Sequence, residues 1–65
     1  MKENIELLLK IIRFFEERDG DYNIENIGDG EHRLWVILGN QVPEMNTKDT
    51  EKLRALWEEI QEYWA

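Results

Sequence analysis

The chain has no cysteine, no serine, a single histidine and a single proline among its 65 residues. Without cysteine there is no disulfide to brace a small fold, and a cysteine-based nucleophile is excluded together with the serine triad. His32, the one imidazole, stands beside Arg33 and lacks any metal-ligand spacing of the His-Glu-x-x-His kind. No run approaches the roughly 18 uninterrupted apolar residues of a membrane span. Charged residues and the lack of a small-residue cleavage site argue against reading the opening MKENIELLLKIIRFF as a secretory signal. A cytoplasmic setting is therefore the expectation.

Basic residues are also scarce, eight against fifteen acids, for a formal charge of −7. Phosphate binding depends on Lys and Arg releasing condensed counterions, so direct nucleic-acid contact is disfavoured, as is an anionic membrane surface. A basic protein surface is the partner this charge suits.

Hydrophobic residues make up 42% of the chain, three of them tryptophan, which is too apolar for a disordered segment. Residues 1–65 read as one domain. Such a domain hides only about 60% of the surface its unfolded chain exposes, so dense packing or self-association has to supply stability.

From Glu3 to Arg18 there is no Gly or Pro, and the apolar residues Ile5 to Phe15 spread over about 220° of a helix, more than the roughly 100° one contact consumes. Gly20 ends this helix. Two strands follow, Tyr22 to Ile27 and His32 to Leu38, joined by Gly28-Asp29-Gly30, a hairpin-length turn. In the second strand Leu34, Val36 and Leu38 alternate with Trp35 and Ile37, so both faces are apolar. GNQVPEMNT reads as a connecting loop with Asn46 or Thr47 capping a second helix, whose stripe of Leu53, Leu56, Trp57, Ile60, Tyr63 and Trp64 spans about 120°. The expected fold is α+β in the order helix-strand-strand-helix, two helices covering one face of a two-stranded antiparallel hairpin. The surplus apolar surface predicts completion by homodimerisation or higher self-association through Leu7, Ile11, Phe14, Trp35 and Ile37.

The segment RDGDYNIENIGDGEH carries oxygen ligands at Asp19, Asp21 and Asn23, as a calcium loop would. Yet Ile24 stands where the motif needs its glycine and Gly30 where it needs a bidentate glutamate. Turn chemistry is the better reading, and no metal or other cofactor is expected. Glu58, Glu59 and Glu62 share a helix with no histidine, which favours a solvated acidic face over a metal site.

These features predict a non-enzymatic acidic binding module or inhibitor that occupies a basic partner surface with Asp19, Asp21, Glu25, Asp29, Glu31, Glu58, Glu59 and Glu62. Size and charge class match small inhibitory proteins of viral origin that present carboxylates where phosphates would lie. The alternatives are an oligomeric nucleotide binder using His32, Arg33 and Trp35, and an accessory assembly subunit.

Overall fold

A computed structural model describes residues 2–64, so residues 1 and 65 of the expected domain lie outside it. The chain forms an α+β domain: α1 (Glu3–Glu17), β1 (Tyr22–Gly28), β2 (Glu31–Val36), β3 (Glu44–Asn46) and α2 (Thr50–Tyr63). The sheet is antiparallel with order β1-β2-β3.

The hairpin expectation holds, and the Asp29-Gly30 pair supplies the turn. Gly28 pairs with Glu31, so Asp29 (φ 53°) and Gly30 (φ 72°) are the two loop residues, both left-handed as the tight type I′ connection requires. A bulge between Asn26 and Gly28 leaves Ile27 as the extra residue.

The connecting loop is not structureless, which corrects the two-strand expectation. Leu38 and Gln41 exchange 2.9 Å backbone hydrogen bonds around Gly39-Asn40, and Pro43 then leads into β3. Pro43 marks the end of this ladder: its carbonyl accepts from the Val36 amide at 3.3 Å, and having no N–H it returns no bond to β2. Asn46 and Thr47 do not cap α2. Asn46 lies in β3, and Asp49 caps instead, its Oδ1 accepting from the Lys52 amide at 3.1 Å.

The third strand also sets the direction of α2. With three antiparallel strands between them, the helices run the same way. Glu3 pairs with Arg54, and Asn4 donates to the Thr47 carbonyl at one end; Phe14 meets Trp57 and Trp64 at the other. The core between helices and sheet is Leu7, Ile11 and Phe15 of α1, Leu34, Val36, Leu38 and Met45 of the strands and their connection, and Leu53, Leu56 and Ile60 of α2. Phe15, Ile11, Leu34, Val36, Leu53 and Ile60 are fully buried.

This packing corrects the expected self-association surface. Leu7 (7% exposed) and Ile11 (0%) are spent on the chain's own core, because α1 is rotated to aim the 7-11-15 row inward. Phe14 is half-buried, edge-on to Trp57 and Trp64 with centroids 5.5 Å away. What remains outside on α1 is Ile5 (42% exposed) and Leu9 (40%).

Candidate acidic and open-sheet surfaces

Strand alternation sends Leu34 and Val36 to the helices and leaves Glu31, Arg33 and Trp35 on the uncovered face of the sheet. Across the ladder Glu25 pairs with Arg33, and Asn23 lies between Tyr22 and Ile24 opposite Trp35. The Glu25 carboxylate accepts from the Trp35 indole N–H at 3.2 Å and from the Arg33 guanidinium at 3.3 Å. Glu31 accepts from the Asn46 amide at 3.3 Å. Two of the acids predicted to meet a partner are therefore already engaged within the sheet.

The same alternation separates the predicted ligand set. His32 pairs with Asn26 and shares its parity with Leu34, the helix-facing side, whereas Arg33 and Trp35 are on the open side. Arg33 is also occupied by Glu25. These three residues do not converge on one pocket. Ile37, 37% exposed, follows Trp35 just beyond β2.

The remaining acids divide between two ends. Asp29 tops the β1–β2 turn at the end where the helices begin. Asp19 and Asp21 flank the exit from α1, one seven-residue strand away, or about 20 Å. There they lie with the C-terminal end of α2, where Glu59 and Glu62 line an open groove with Leu38, Gly39, Asn40, Gln41 and Tyr63. Glu58 is exposed on the outer side of α2, and its negative field, with that of Glu51, adds to the hydrogen bond and charge of Glu3 in raising the Arg54 pKa.

Helix exit at this end is built by a tight cap. Gly20 donates to the Phe15 carbonyl at 2.8 Å and Asp19 to the Glu16 carbonyl at 3.4 Å, with Asp19 in the left-handed region (φ 52°). Neither helix has a basic residue in its last turn. Arg18, the C-cap residue of α1, lies over the Phe14 ring at 3.5 Å, donates to the Phe14 carbonyl at 3.3 Å and is 3.6 Å from Glu17, so one base does sit at this helix end.

Among the described residues, no three His, Asp or Glu side chains converge as metal ligands, and no helix is long and apolar enough to cross a membrane. The groove by Tyr63 carries no signal in the sequence, because it exists only once the Gly39-Asn40 turn folds against α2. Compared with protein-family models, curated proteins and solved structures, the chain matches none.

Proposed function

We propose that the protein is a non-enzymatic binding module that presents its helix-exit end to a basic surface on a partner protein. One observation carries this reading: the C-terminal ends of two parallel helices meet Asp19, Asp21, Glu59 and Glu62 at one end of the molecule. Each helix C-terminus contributes roughly half a negative charge; no basic side chain offsets it at α2, and at α1 the single cation, Arg18 on the Phe14 carbonyl, is outnumbered by Glu17, Asp19 and Asp21. The pole attracts Lys- and Arg-rich surfaces and repels phosphate. A partner whose basic surface ordinarily binds a phosphate backbone would be inhibited by occupancy, the carboxylates standing where phosphates bind.

Differential capture tests this. The immobilised protein is compared with D19N/D21N/E59Q/E62Q, which neutralises the pole, and with E6Q/D29N/E44Q/E51Q, which removes the same number of charges elsewhere. A partner retained by the wild type and the control, released by moderate salt and lost from the pole variant supports the reading. Identical retention by all three overturns it.

A further inference from the structure

β1 is an edge strand, and its outer side is a row of unpaired backbone groups. Ile37 donates to the Asp21 carbonyl at 3.0 Å, so by antiparallel alternation Asp21, Asn23 and Glu25 bond to β2. Tyr22, Ile24 and Asn26 then aim both their N–H and C=O away from the sheet. Among the described residues none of these six groups has a hydrogen-bond partner.

The two edges of the sheet are treated differently. β3 has three residues, follows Pro43, and turns at once as the Asn46 carbonyl and side chain accept from Asp49 and Lys48. Shortness, a proline and an early turn are the usual protections of an edge. β1 has seven residues, no Pro, Lys or Arg, and its bulge comes only at its far end. Beside it runs the apolar remainder of α1. Ile5, Leu9, Ile12 and Glu16 recur at helical spacing on one side of the helix, and Glu16 accepts from the Tyr22 hydroxyl of β1 at 2.6 Å. This side therefore flanks the open strand rather than α2.

We infer that the β1 edge is a self-association surface, on which a second copy adds its own β1 antiparallel about a twofold axis through Ile24. That axis sets Ile24 against Ile24 and Tyr22 against Asn26, and so satisfies the outward N–H and C=O of all three residues in each copy. On the open face it places Asn23 opposite Glu25 of the second copy, an amide beside a carboxylate. An axis through Glu25 would oppose two like carboxylates, which is destabilising. The three-stranded sheets join into one of six strands, and the Ile5–Leu9–Ile12 strips of the two α1 helices close over the seam. This surface lies apart from the acidic helix-exit end, so either reading can fail without the other.

Sedimentation equilibrium and amide hydrogen exchange across a concentration series test the inference. The expected mass is twice the 7.9 kDa chain at high concentration. The Tyr22, Ile24 and Asn26 amides gain protection as the dimer forms, while Asn23 and Glu25, bonded to β2, are protected throughout. At this length the chain is accessible to chemical synthesis, and N-methylation of the Ile24 amide removes the outward donor without touching its side chain. By symmetry two hydrogen bonds are lost, and the dimer dissociation constant should rise by about thirtyfold. Leu9→Lys, on the exposed strip, should weaken the dimer in the same direction with an unchanged circular dichroism spectrum. A mass that stays at that of one chain up to millimolar concentration overturns the proposal. So does a dimer in which the Tyr22, Ile24 and Asn26 amides still exchange freely.

Discussion

The Trp35 indole N–H and the Glu25 carboxylate meet at 3.2 Å across the β1–β2 ladder, a diagonal pair on one face two residues off the direct partner, Asn23. The bond fixes the indole of the largest side chain on the uncovered sheet face, which is half-buried. The second oxygen of Glu25 takes Arg33, so one carboxylate orients two donors. Glu25→Ala should release both at a cost of about 0.5–1 kcal/mol, modest because the groups are half-exposed. For a domain of this size that lowers the melting temperature by a few degrees. The Trp35 indole proton should also exchange faster with solvent in nuclear magnetic resonance spectra. Unchanged exchange would mean that the bond contributes nothing to the order of this face.

Asp19 and Gly20 divide the work of ending α1. Asp19 holds the left-handed position that glycine usually takes, while a Cβ on Gly20 would come within 2.6 Å of the Phe15 ring. Asp19→Gly should therefore stabilise the fold by about 0.5–1 kcal/mol by relieving the backbone. Gly20→Ala should destabilise it by about 1–3 kcal/mol, because Phe15 is fully buried and has little room to yield. Denaturant melts of both variants should move in opposite directions. Movement in the same direction would show that the cap is not what limits this corner.

Tyr22 should titrate late. Its hydroxyl donates to Glu16 at 2.6 Å, and that hydrogen bond, with partial burial and the negative charge of Glu16, raises its pKa above the ordinary 10.0. The folded state thus favours the neutral phenol. Its stabilising contribution is fully present below the unfolded pKa and disappears as pH climbs through the higher folded value. In a Tyr63→Phe background the phenolate absorbance reports Tyr22 alone. Its midpoint should lie above that of a free tyrosine and fall towards it on Glu16→Gln. An identical midpoint in both chains would remove Glu16 as the cause.

Much of the fold can be read locally. The Gly/Pro-free run of α1, the period-two pattern around Leu34 and the Asp29-Gly30 turn each carry their signal within a few residues. β3 does not. Glu44, Met45 and Asn46 are too few to show alternation, and what makes them a strand is the far edge of β2, which local composition does not register. That omission propagates: two strands between the helices would set them antiparallel, while three set them parallel and bring Asp19, Asp21, Glu59 and Glu62 to one end. The width of the α1 apolar arc reveals a surplus. It does not say which part of the arc is surplus, because that depends on how the helix rolls onto the sheet. Hence Leu7 and Ile11 are interior while Ile5 and Leu9 stay outside. Grouping His32 with Arg33 and Trp35 as one ligand set overlooks strand alternation, which puts His32 on the opposite face from the other two.

The contact of Glu3 with Arg54 spans 51 positions of a 65-residue chain. The strands are joined by short local turns, and α1 packs on them through Ile11 and Phe15, whereas its cover from α2 comes from a segment distant in sequence. Closing the Glu3–Arg54 contact therefore fixes a loop that encloses the whole sheet, so α1 and α2 can meet only after the strands between them have taken their places.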